Sequence, residues 1–232
     1  MGLGLVLAGK IFRLAEPLSL EAIRGRLEGY RREEEAGEGA QKLRLVTEVE
    51  RVSSVELGLE GVISYDRLVW IPRRDGPTPI ARTYTAPFLF STLRGETFLL
   101  VVEKKHRANR IADLFSEILF GGYGGIVEAR IPPENLHRYH EENPEGTKVV
   151  FFCDLDFPGV KKLSLYGGSL HTTATYDEML GHGKLWYVVV TSKRYGYVVG
   201  LTGDAIVTVF SRIAVDEFLR YVVDEVLPLV EL

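Results

Sequence analysis

Leu93-Arg94-Gly95-Glu96-Thr97-Phe98-Leu99-Leu100-Val101 lines up without a gap on Leu201-Thr202-Gly203-Asp204-Ala205-Ile206-Val207-Thr208-Val209. Both copies read as a glycine turn, an acidic residue, an apolar strand and then a helix. The helices keep register, since Glu117-Ile118-Leu119 falls on Glu225-Val226-Leu227 at the same offset of 108 residues. Self-similarity at half the chain length is the signature of an internal repeat, and it predicts a duplicated architecture.

Working outward from the first copy, residues 3–14 read as a strand broken at Gly9-Lys10. Pro17 and Ser19 open a helix reaching about Arg32, with Leu18, Ile23, Leu27 and Tyr30 as its apolar stripe. Glu33 to Ala40 is a charged loop, followed by strands over 43–50, 55–59 and 62–71. Pro72-Arg73-Arg74-Asp75-Gly76-Pro77-Thr78-Pro79 is turn chemistry, the tip of a long hairpin whose return strand is 80–90. A strand at 97–103 then feeds a helix over 106–119 with Ile111, Leu114, Phe115, Ile118 and Leu119 on its core face.

Gly121-Gly122-Tyr123-Gly124-Gly125 is the plausible boundary, after which the pattern restarts: Ile126-Val127-Glu128-Ala129 echoes Leu5-Val6-Leu7-Ala8. A short helix opens at Pro132-Pro133 and a strand follows at 147–155. Leu163 to Gly167 matches Leu57 to Gly61, and Tyr176-Asp177 matches Tyr65-Asp66 after a five-residue insertion. Strands at 184–192, 195–201 and 204–210 and a helix over 215–227 complete the half. The predicted fold class is therefore α+β: two pseudo-repeats of β-α-β(4-5)-α, residues 1–120 and 126–232, with antiparallel sheets and helices on one face. They form two domains or one continuous pseudo-twofold domain.

That order of elements, duplicated over nearly the whole chain, resembles the TATA-box-binding-protein-like fold, and the single-copy helix-grip proteins are similar to it as well. The resemblance implies a curved two-repeat saddle. It rests on topology and duplication, and it implies no DNA binding by itself, because a fold does not carry a function.

Composition bounds the function. The chain is 46% hydrophobic and 26% charged, with a single cysteine, Cys153, which fits a reducing cytoplasm and excludes an internal disulfide. No apolar run approaches the roughly 20 residues of a membrane span, and Met1 to Leu7 reads as a strand and not a signal peptide. Gln41, Asn109, Asn135 and Asn143 are its only amide side chains, a composition that points to a hyperthermophile. The net charge of −4 argues against indiscriminate nucleic-acid binding. It is unevenly spread: residues 1–116 carry 18 Lys+Arg against 16 Asp+Glu, or +2, and residues 117–232 carry 10 against 16, or −6.

The first candidate site is Lys104-Lys105-His106-Arg107-Ala108-Asn109-Arg110, where a strand feeds a helix. Cations there oppose the helix dipole, so they point to an anion or phosphate, with a solvated basic turn as the plainer alternative. Arg73, Arg74 and Arg82 extend the patch if the hairpin folds toward it. The second is Lys193 and Arg194 with Tyr195 and Tyr197, a basic-aromatic hairpin that can stack single-stranded bases or pack into the core. The third is Asp154-Leu155-Asp156 after an apolar strand. It looks like the acidic strand end of Toprim-type nucleases, where carboxylates hold Mg²⁺ and Glu128 would be the third ligand.

His137 and His140 stand at i, i+3, a metal-capable spacing, but without companion ligands they read as a surface helix. There is no Walker loop, nucleophile elbow, Gly-x-Gly-x-x-Gly after a strand, or zinc ribbon. The expectation is a non-catalytic binding protein without a cofactor, whose partner is nucleic acid. A protein-interaction module, self-assembling or not, is the alternative, and a Mg-dependent nuclease through Asp154 and Asp156 comes third.

Overall fold

The computed structural model describes residues 6–37, 42–74 and 76–232; the first residues of the expected opening strand, part of the charged loop before Lys42, and Asp75 lie outside the described residues. Among the described residues twelve strands form one sheet: β1 (Leu7–Leu14), β2 (Arg31–Ala36), β3 (Leu43–Val55), β4 (Gly58–Ile71), β5 (Thr78–Leu93), β6 (Glu96–Val101), β7 (Ile126–Glu128), β8 (Val149–Cys153), β9 (Lys162–Tyr166), β10 (Lys184–Thr191), β11 (Val198–Thr202) and β12 (Ile206–Val209). Across the sheet the order is β2-β3-β4-β5-β6-β1-β12-β11-β10-β8-β9, with β7 on β1. The helices are α1 (Leu20–Leu27), α2 (Lys105–Phe120), α3 (Pro133–Glu142), α4 (Ala174–His182) and α5 (Val215–Tyr221).

Strand β1 is the keystone. One edge carries β6, through Lys10↔Val101 to Arg13↔Phe98. The other edge carries β12 along Leu7 to Lys10 and then β7 along Phe12 to Leu14. A single antiparallel sheet is thereby continuous from end to end.

This architecture overturns the predicted pair of β-α-β repeats with helices on one face. Successive residues of a strand point to opposite faces, and here both faces of the central strands are buried in different cores. Phe12, Phe88, Phe90, Leu99 and Val101 pack with Ile23 and Leu27 of α1 and Ile111 and Phe115 of α2. Their neighbours Ile11, Leu89 and Leu100 belong to the other core, with Leu136 of α3 and Phe218 and Val222 of and after α5. The helices therefore lie on opposite faces of one sheet.

Gly9 permits this sandwiching, because a Cβ there would sit 2.9 Å from the Phe218 ring and 3.1 Å from the Val101 carbonyl oxygen. Two further departures stand out. Residues 31–36, expected as the end of the first helix and the start of the charged loop, form the edge strand β2, whose charges pair across to β3 as Arg31–Glu48 and Arg44–Glu33. Charged edges resist pairing with a further strand. Tyr176-Asp177, matched in sequence to Tyr65-Asp66 of a strand, lies in α4, whose N-cap Thr173 accepts the Tyr176 N–H at 3.3 Å.

The decisive stretch itself folds as a hairpin leading to a helix at both positions, β5–β6 into α2 and β11–β12 into α5. What differs is where the helix goes. Helix α2 ends at Gly121 in the left-handed region, φ 75°, as helix C-termini favour. The chain after α5 continues through a π turn at Val222–Val226 to a 3-10 turn at Leu227–Leu229.

Candidate nucleic-acid interface

Strands β4 and β5 outrun their neighbours. Strand β3 stops pairing with β4 at Thr47↔Tyr65, and β6 stops pairing with β5 at Phe88↔Val101. The β4–β5 ladder continues alone through six pairs, Asp66↔Thr83 to Ile71↔Thr78, a ribbon about 20 Å long at the usual strand rise. Residues 67–82 hold four arginines, Arg67, Arg73, Arg74 and Arg82, against one acid, Asp75. Asp66 at the arm's root is satisfied locally, accepting the Val46 N–H at 2.9 Å and the Thr83 hydroxyl at 2.5 Å. Trp70 is 46% exposed on the arm.

Alternation puts Tyr65, Arg67, Tyr84 and Arg82 on the face that α2 covers, just beyond the point where α2 begins. Tyr65 stacks on Tyr84 at 5.6 Å between ring centroids. The Arg82 and Arg107 guanidinium groups stand over the Tyr84 ring at 5.2 and 5.6 Å. Glu103 caps the start of α2, accepting the Lys104 N–H and the Arg107 Nε–H at 2.8 Å each. Arg107 therefore joins the root of the arm, and Lys104 is exposed at the N-cap. Arg73 and Arg74 are exposed at the tip.

The other predicted cations are not part of this group. Lys105 turns to Asp204 at 2.8 Å, which raises the lysine pKa and holds the Asp204 carboxyl below the usual carboxylate range. Arg110 is exposed further along α2, near Glu117. Beside Lys105 lies a joint that the sequence reading treated as a break in β1. Lys10 is 0% exposed and donates to Asn109 Oδ1 at 2.8 Å and Glu128 Oε1 at 2.5 Å. That bond keeps the Glu128 pKa low. Together these contacts tie α2, β7 and the β11–β12 turn to β1.

The basic-aromatic hairpin at 193–197 faces acid. Arg194 pairs with Asp224 and Glu225 at 3.3 and 3.2 Å, and the Tyr195 hydroxyl donates to Asp224 at 2.5 Å. Tyr195 and Tyr197 both pack edge-on against Tyr221, at 5.5 and 6.0 Å. Lys193 is exposed, with its backbone N–H on Asn143 Oδ1 at 2.7 Å.

Of the acidic pair, Asp154 neighbours Lys184 at 3.7 Å and Asp156 accepts from His182 Nδ1 at 2.9 Å, while Glu128 is held by Lys10. Among the described residues no group of three His, Cys, Asp or Glu is placed to hold a metal. His140, expected on a helix surface, is wholly buried, with Nδ1 on the Tyr176 hydroxyl and Nε2 on the Thr147 hydroxyl, both at 2.8 Å. Burial drives its pKa down to about 4. Both nitrogens are committed.

Tyr65, Arg67 and Tyr84 escaped the sequence reading. The available signal was the apposition of Tyr65-x-Arg67 with Arg82-x-Tyr84 around a Pro/Gly tip, which only the hairpin register turns into a cluster. No protein-family model matches the chain, and no curated protein matches its sequence. Among the described residues no helix is long and apolar enough to cross a membrane.

Proposed function

We propose that this chain is a non-catalytic nucleic-acid-binding protein that grips the phosphate backbone with the β4–β5 arm and the basic start of α2. The arm carries the reading. It is a two-stranded ribbon projecting beyond the sheet, with four arginines against one acid in residues 67–82 of a chain whose net charge is −4. A two-stranded ribbon fits the major groove of a duplex, and exposed aromatics such as Trp70 stack on unpaired bases. Arginine suits phosphate because its planar fork donates in pairs. An acidic remainder confines the polyanion to the basic face. The role fits the cytoplasm, in keeping with a lone cysteine that is only partly buried.

Titration of labelled single- and double-stranded DNA and RNA by fluorescence anisotropy, at low and moderate salt, tests this reading. Salt-dependent binding supports it, and absence of binding at low salt overturns it.

A second reading, a protein-interaction module, draws on the far end of the sheet. There Phe151 packs with Tyr166 and Tyr187 at 6.4 and 5.4 Å, and Tyr166 is 70% exposed on the edge strand β9. A free edge beside exposed aromatics suits strand addition by a partner or a second copy. Elution volume at low and high salt, without nucleic acid, tests for self-association.

A further inference from the structure

Two local features at the root of the arm each run against folding stability, and they converge. Arg67 stands directly opposite Arg82 across the β4–β5 ladder, a like-charge pairing that destabilises a sheet. Neither has a carboxylate within salt-bridge distance among the described residues. Tyr65 is 2% exposed, and its hydroxyl has no hydrogen-bond partner among the described residues, although buried hydroxyls are normally satisfied. The charged groups acting on that hydroxyl are Arg67, Arg107 and Glu103.

One anion relieves both. We propose that Tyr65, Arg67, Arg82 and Arg107 form a seat for a single phosphate group. The Tyr65 hydroxyl donates to one phosphate oxygen, and the guanidinium groups of Arg67, Arg82 and Arg107 donate to the others. Tyr84 is the shelf beneath Arg82 and Arg107, fixing both at 5.2 and 5.6 Å from its ring. Glu103 holds Arg107 by its Nε and leaves the terminal nitrogens for the ligand. Three arginines against one carboxylate leave two positive charges, which suits a phosphodiester or a phosphate monoester. Arg67 and Arg82 are exposed, and binding at the seat requires the side chains over the buried Tyr65 hydroxyl to part and admit the phosphate. The seat deepens the nucleic-acid reading and rests on it, in that it names the contact at which the backbone is anchored.

The test compares the wild type with Tyr65→Phe, which removes one oxygen, and with Arg67→Gln/Arg82→Gln. The probes are inorganic phosphate and a nucleoside monophosphate by calorimetry, and a labelled oligonucleotide, single and duplex, by anisotropy. Loss of a hydrogen bond to a charged group predicts weakening by Tyr65→Phe of about tenfold or more, and the double variant abolishes binding at the seat. Without ligand, Tyr65→Phe keeps or raises the melting temperature, since the hydroxyl satisfies nothing in the fold; a lower one assigns it a structural role and overturns the seat. Weakening confined to the oligonucleotide identifies a backbone phosphodiester as the ligand, and weakening with phosphate and nucleotide too identifies a small phosphate compound as sufficient. Equal binding of every probe by wild type and Tyr65→Phe overturns the seat while the arm reading stands. If the wild type binds phosphate but no oligonucleotide, and Tyr65→Phe loses that binding, the seat stands and the nucleic-acid reading falls. No binding of any probe overturns both.

Discussion

Arg67 and Arg82 face each other across the β4–β5 ladder at the root of an arm that, among the described residues, no third strand supports. Cross-strand arginines are a standing cost to the sheet, so their relief should be measurable. Arg82→Glu, creating an opposite-charge pair with Arg67, is expected to raise stability by about 0.5 kcal/mol in urea unfolding and to weaken binding of any polyanion. A variant that binds nucleic acid as well as the wild type separates the arm from the function.

The tip arginines contribute differently. Arg73 and Arg74 are exposed and remote from both cores, so Arg73→Ala/Arg74→Ala should leave the urea midpoint within about 0.5 kcal/mol of wild type. The slope of log affinity against log salt should become shallower by roughly two for a duplex, one per lost phosphate contact. Unchanged slope assigns the tip no phosphate contact.

The buried joint at Lys10 makes an asymmetric prediction. Lys10 is 0% exposed, whereas the Glu128 side chain is 48% exposed. Glu128→Gln leaves a buried ammonium without its counter-charge and should cost on the order of 2 kcal/mol, less than a fully buried pair because water reaches the carboxylate. Lys10→Met leaves a solvated carboxylate and should cost less. Urea midpoints at unchanged m-value decide the order, and Lys10→Met as the worse variant would contradict the account.

His140 supplies a pH dependence. An unfolded histidine titrates near about 6.5, whereas burial holds folded His140 down at about 4, with His171 and His137 adding to the effect. As pH falls below the unfolded value, the unfolded chain takes up a proton that the folded chain refuses. Stability from this group is therefore complete above about pH 6.5, declines between there and about pH 4 with a slope approaching 1.4 kcal/mol per unit, and levels off below. Melting curves across that window should be flatter for His140→Gln than for wild type; parallel curves would remove His140 as the cause.

How much of this was legible in the sequence depends on the residue. The hairpin tip at 72–79 and the helix after Val101 follow from local chemistry, proline and glycine in one case and the apolar spacing of Ile111, Phe115 and Leu119 in the other. The duplicated architecture misled because the matched segments record only local order, and the side of the sheet on which a helix packs is a long-range property. One cue was present. Phe88-Leu89-Phe90 and Phe98 to Val101 are unbroken apolar runs, which strands show when both faces are buried. Strand β2, with five charges in six residues, carries no apolar pattern and forms because β3 offers it an edge. Within the candidate site, the basic run at 104–110 was visible, but Lys105 and Arg107 diverge once folded, one to Asp204 and the other to Tyr84. Tyr65 was invisible as a site residue, since an orphaned hydroxyl exists only in three dimensions.

The most direct test of the central claim is the salt dependence of duplex binding by the wild type beside a variant with Arg67, Arg73, Arg74 and Arg82 all changed to glutamine. The account predicts measurable, salt-sensitive binding by the wild type and a slope shallower by roughly three to four units in the variant. Equal slopes, or a wild type that ignores nucleic acid at low salt, would contradict it.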